Sequence, residues 1–137
     1  MMIQSKWLFK CFLSILVLSY GFHDALALNA NWKSFHANEK VSMFYNPKSV
    51  KGKGVKTVEV ALDFDYPQKS PAGKLIQSVR MIQNYDCSRK RFRLKSAINY
   101  ADGKLKGKEV ARGSEITPWR SIPSGVPYAK LLTILCK

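Results

Sequence analysis

Histidine, cysteine and acidic residues are all scarce in this chain of 137 residues, which has 2 His, 3 Cys and 9 Asp+Glu. Each scarcity removes a class of chemistry. No C-x-x-C or H-x-x-x-H spacing occurs, so the common zinc sites are excluded and no metal is expected. There is no G-x-S-x-G, and Lys51-Gly-Lys-Gly54 precedes a strand where the phosphate-binding glycine motifs need a helix, so no nucleotide cofactor is expected. No apolar run approaches the roughly 20 residues of a spanning helix, which excludes a transmembrane anchor of that kind. No internal repeat or low-complexity tract is present.

What the chain does have is an ordinary core composition, 46% apolar and 12% aromatic, on a length that suits one domain. It also has 23 Lys+Arg, for a formal net charge of +14. Residues 1 to 27 bear Lys6 and Lys10, an apolar stretch from Cys11 to Tyr20, and small residues at Ala25 and Ala27. Those are the three parts of a secretory signal peptide cleaved after Ala27. Cys11 follows Lys10 rather than a small residue, so no lipid attachment is expected and the product is expected to be exported, not a lipoprotein. Residues 28 to 137 then keep 21 basic and 8 acidic residues, a net +13, and the cysteine pair Cys87 and Cys136. An even pair in an oxidising compartment predicts a disulfide.

Periodicity sets the fold class. Val58, Val60, Leu62 and Phe64 alternate with Thr57, Glu59, Ala61 and Asp63, as in a strand with one buried face. Leu75 to Cys87 puts Leu75, Val79, Met81 and Tyr85 on one side, with Ile76 and Ile82 on the other. Arg91 to Tyr100 alternates with Phe92, Leu94, Ile98 and Tyr100 inward, and Arg91, Arg93, Lys95, Ala97 and Asn99 outward. The short Ser88 to Lys90 connection predicts that these two strands pair antiparallel. Tyr66 to Gly73 reads as a loop, and three prolines between Thr117 and Pro127 forbid a central strand there. The period then changes: Tyr128, Leu131, Leu132, Leu135 and Cys136 share a helical stripe, with Ser124 as the expected cap. The expectation is an α+β domain: a small, mostly antiparallel β-sheet of about five to six strands, a C-terminal helix packed on it, and one disulfide.

Catalytic groups are few. His36 is the one histidine after residue 27 and falls in an expected turn; Asp63 and Asp65 share a strand face. These three are the material for a small hydrolase, and they lack a nucleophile if the cysteines are paired. The chain therefore reads as non-enzymatic. Binding is better supplied. The expected ligand-binding residues are Arg89, Lys90, Arg91, Arg93 and Lys95, with Lys104, Lys106 and Lys108; a further cluster joins Lys48, Lys51, Lys53 and Lys56. Arginines on one strand face, about 7 Å apart, suit bidentate pairing with carboxylate, sulfate or phosphate. No aromatic stacking motif accompanies them in the sequence, and with the export signal this argues against a nucleic acid partner.

The order of Trp32, Phe44-Tyr45-Asn46-Pro47-Lys48-Ser49-Val50, Tyr85-Asp86-Cys87, Tyr100, and Trp119-Arg-Ser-Ile-Pro-Ser124 before a helix ending at Cys136 resembles the bacterial surface-adhesin protein E-like domain family. The resemblance covers residues 31 to 137. It implies a small antiparallel sheet with a C-terminal helix, a disulfide through Cys87 and Cys136, and binding of host extracellular-matrix proteins. The expected function is thus that of an exported envelope or surface binding protein, periplasmic or secreted, engaging an anionic protein or glycan through its basic surface. The alternative is a periplasmic structural or stress-related protein with no adhesive role, whose charge serves solubility.

Overall fold

The computed structural model describes residues 28–137; the expected signal peptide lies outside the described residues. The chain runs through β1 (Lys33–Ala37), β2 (Val41–Tyr45), a 3-10 turn (Pro47–Ser49), β3 (Val55–Lys69), β4 (Leu75–Asp86), β5 (Arg91–Tyr100), β6 (Glu109–Gly113), β7 (Arg120–Ser121) and helix α1 (Pro127–Leu135). The strands form one antiparallel sheet in the order β1-β2-β3-β4-β5-β6, and β7 pairs with β5 beside β6. The α+β architecture is as read from the sequence, and the two-residue β7 adds a seventh strand in the proline-rich segment, at an edge where proline is tolerated.

Cross-strand partners share a face, so register decides what each side of the sheet presents. Val60 opposes Tyr45 and Met81, and Val58 opposes Gln83. These side chains meet α1, whose Leu131, Leu132 and Leu135 are buried with Phe35, Tyr85 and Ile122 in the core. The helix starts at Pro127 with Val126 as its N-cap residue and no side-chain cap, so Ser124 does not play the capping role expected of it. The disulfide joins Cys87, just past β4, to Cys136 at the end of α1, with Cα atoms 5.6 Å apart. It fastens the helix to the end of a central strand.

Two irregularities changed the expected pattern. β3 continues through Tyr66 and Pro67 to Lys69 because its ladder breaks between Asp63 and Gln68, and Pro67 sits inside that break. In β5, Gln83 opposes Leu94 while Ile82 opposes Ser96, leaving Lys95 as an unpaired bulge residue. A one-residue insertion inverts every side chain beyond it. Ala97 therefore packs toward the core, and Ile98 and Tyr100 turn to the opposite face, the reverse of the simple alternation.

A helix-free sheet face with a paired-arginine ridge

The face away from α1 carries the polar residues of the three central strands. At the end of β4, Asp86 is 7% exposed. Its Oδ2 accepts from Arg91 Nε at 2.9 Å, and its Oδ1 accepts from Ser88 Oγ at 3.0 Å and Arg89 N at 3.4 Å. Burial pushes the Asp86 carboxyl up, but the hydrogen bonds from Arg91, Ser88 and Arg89 and the Arg91 charge outweigh it and hold the group below its ordinary value. Two residues earlier, buried Asn84 accepts from Arg93 Nε at 3.0 Å and donates through Nδ2 to Thr57 Oγ1 at 2.8 Å.

Both guanidinium groups lie over one indole. Arg91 Cζ is 4.7 Å and Arg93 Cζ 4.3 Å from the centre of the Trp119 ring. Trp119 is placed there by backbone pairing: Thr117 N donates to Leu94 O at 3.0 Å, Thr117 Oγ1 accepts from Leu94 N at 2.9 Å, and Arg120 opposes Phe92. Each arginine uses Nε internally, and its hydrogen bonds among the described residues go no further. The pairing and stacking fix two planar donors in advance, which lowers the ordering cost of binding. The sequence singled out Asp86 and Trp119 only as parts of the family pattern and Asn84 not at all, because their contacts with the arginines arise from strand pairing rather than from chain proximity.

Arg89 and Lys90 are exposed in the β4–β5 turn, and exposed Lys95 occupies the bulge. The structure thus brings Arg89, Lys90, Arg91 and Arg93 to the β4–β5 turn end of the sheet, with Lys95 farther along β5 toward its middle. Lys104, Lys106 and Lys108 are not with them. Their loop is clamped where Lys104 N donates to Asp63 Oδ1 (2.9 Å), Leu105 N to Ser78 Oγ (2.9 Å) and Ser78 Oγ to Asp102 O (2.6 Å). Leu105 is buried, which offsets the left-handed backbone at Lys104 and Leu105. Ser78 is six residues along β4 from Asn84, about 20 Å at strand rise. There the lysines share their surroundings with Asp63, Asp102 and Glu109, the last ion-paired to Arg112. The arginine end has two acids, both engaged: Asp86 by Arg91, and Glu59 by Arg80 at 2.8 Å.

The remaining candidates separate. His36 lies within β1, not in a turn, and opposes Met43 on the helix side, where it lines a cleft of about 360 Å³ with Ser124 and Lys130. Asp63 sits on the opposite face, held by the Lys104 amide. Among the described residues no helix is long and apolar enough to cross a membrane.

A seven-stranded antiparallel sheet, with a disulfide-tethered helix on one side and fixed arginines displayed on the other, makes a small α+β domain. The chain belongs to the surface-adhesin protein E family, whose family model matches residues 32–137. The solved structure of Haemophilus influenzae protein E is similar to it, with a TM-score of 0.62 at 12% identity over 81% of this chain and 87% of that one. A second crystal form of the same protein gives 0.62 at 11% identity, over 84% and 94%. These likenesses are in fold. Among the curated proteins none matches the sequence significantly.

Proposed function

We propose that this is an exported, surface-adhesin-like protein that holds an anionic protein or glycan on its helix-free face, anchored by Arg91 and Arg93 over Trp119. The observation that carries this is the double stacking of the two guanidiniums, each oriented by a buried partner, Asp86 or Asn84. Arg89, Lys90 and Lys95 surround the anchor, while Lys104, Lys106 and Lys108 add long-range attraction from the far end of the sheet. Membership in a family of surface adhesins supports exposure to host matrix proteins or anionic glycans as the working context.

The test is retention on heparin and on immobilised matrix proteins at two ionic strengths. Retention falls with salt. Arg91→Gln, Arg93→Gln and Lys95→Gln together abolish most of it, and Arg91→Lys with Arg93→Lys restores only part, because lysine keeps the charge without the planar fork. Unchanged retention in the triple variant refutes the mechanism. Recovery of the protein only from the periplasm would instead favour a structural role in the envelope.

A further inference from the structure

Beside the arginine ridge the same face holds a cleft that belongs to a different basic cluster. Asn46 caps the 3-10 turn, with its Oδ1 accepting from Lys48 N at 3.1 Å. Backbone bonds between Lys51 and Thr57, 2.9 and 3.0 Å long, fold the β2–β3 connection back against the sheet. Together they enclose a cleft of about 350 Å³ lined by Lys48, Ser49, Lys51, Thr57, Glu59 and Ile82. Lys48 and Lys51 are exposed.

The cleft and the ridge share a floor. Thr57, Asn84 and Arg93 are direct cross-strand neighbours on β3, β4 and β5, and they are joined by the Asn84–Thr57 and Arg93–Asn84 hydrogen bonds of 2.8 and 3.0 Å. The row from Thr57 to Arg93 therefore covers two strand spacings, about 10 Å, with lysines beyond one end and Trp119 beyond the other. Its middle is neutral amide and hydroxyl. The one carboxylate at the cleft, Glu59, is engaged by Arg80.

Resting on the reading of the ridge as an anion anchor, we infer that the ligand is a linear sulfated glycan laid across the strands, with the Lys48/Lys51 cleft as a second subsite. A single small anion fills one of the two and leaves the other idle. An anionic bilayer is a flat sheet of laterally mobile charge and has no need of two basic subsites at a fixed spacing. A linear glycan carries anionic groups at intervals with uncharged stretches between them, and the two basic sites are likewise separated by an uncharged floor in which Asn84 is already bonded to Arg93 and Thr57.

The experiment titrates the oxidised protein with a heparin disaccharide and a heparin decasaccharide, followed by calorimetry and tryptophan fluorescence. Lys48→Gln with Lys51→Gln is expected to weaken the decasaccharide about tenfold, some 1.4 kcal/mol, and to leave the disaccharide unchanged. Arg91→Gln with Arg93→Gln is expected to weaken both. Both lysines are exposed, so an unaltered melting temperature verifies the fold of that variant. If the lysine variant binds both ligands as the parent does, or loses both equally while the arginine variant still fails, the second subsite is wrong and the ridge stands. If the arginine variant binds both ligands normally, the anchor itself falls. Tighter binding to phosphatidylglycerol vesicles than to the decasaccharide overturns the choice of a glycan.

Discussion

Replacing both disulfide cysteines, Cys87→Ala with Cys136→Ala, tests how the helix-covered face is held. The bond separates residues 49 apart in sequence, and the chain entropy it removes from the unfolded state is worth roughly 4 kcal/mol. Helix α1 has little stability of its own to replace it. It is nine residues long, has no side-chain cap, no acidic residue in its first turn and no basic residue in its last. What holds it in the folded state is burial of Leu131, Leu132 and Leu135, each contributing about 1.5–3 kcal/mol. Those contacts survive the substitution, so the variant folds, and its loss should approach the entropic figure. Against a net stability of about 5–15 kcal/mol that is a large fraction. At roughly 4 °C per kcal/mol for a domain of this size, the midpoint drops by about 15 °C. Urea unfolding followed by near-ultraviolet dichroism measures it, and the slope with urea should rise because the unfolded chain is no longer cross-linked. A loss below about 1 kcal/mol with an unchanged slope would refute the argument that the bond acts by restricting the unfolded chain.

Two further outcomes concern a hydrogen bond inside the core and the ion pair at the ridge. Tyr85→Phe removes the donor to Gln83 Oε1, a 2.6 Å bond inside the core, and leaves a buried amide oxygen short of a partner; a loss of about 1–3 kcal/mol in denaturant unfolding is expected, and a neutral result would show that Gln83 finds another donor. Asp86 titrates below its ordinary value in the folded state, so its ion pair contributes stability above the unfolded carboxyl range and loses it as pH falls through the lower folded value. Arg91→Gln should flatten that acid limb of the stability curve, and an identical limb in parent and variant would show that Asp86 is not its source.

Local pattern was enough to place a strand or helix wherever its period ran unbroken, and it failed where an insertion shifted the register. Val58, Val60 and Leu62 alternate without interruption, and β3 buries the first two as that period demands. The helix stripe from Tyr128 to Cys136 was equally legible, because apolar side chains recurring every 3.6 residues over two turns line up only on a helix. β5 failed after Leu94. A bulge leaves no mark on composition, so Ile98 and Tyr100 looked like core residues although the inserted Lys95 turns them to the open face. The arginines were visible by type and spacing. The geometry on which the proposed function rests was not, since it depends on Asn84, Asp86 and Trp119, which reach Arg91 and Arg93 only through antiparallel pairing of β4 and β7 with β5. Lys104, Lys106 and Lys108 looked continuous with the arginines in sequence, and strand length places them about 20 Å away.

That separation gives the net charge a direction. Asp63, Asp102 and the Arg112-paired Glu109 lie with the loop lysines at one end of the sheet, while the disulfide end sets Lys48, Lys51, Arg89, Lys90 and the two stacked arginines against Asp86 and Glu59 alone. A uniformly basic sphere attracts a polyanion without orienting it; a domain whose excess charge sits at one end turns that end toward the ligand during approach. The fold supplies the asymmetry cheaply. With apolar side chains sealed under α1, the outward residues of β3 to β5 are free to be polar, and each arginine that would otherwise be floppy is held by a neighbour already needed to satisfy the sheet face. Shortening Arg91 or Arg93 would therefore cost both binding and local order, whereas changing the exposed Arg89 or Lys90 should slow association and leave the folded state as it is.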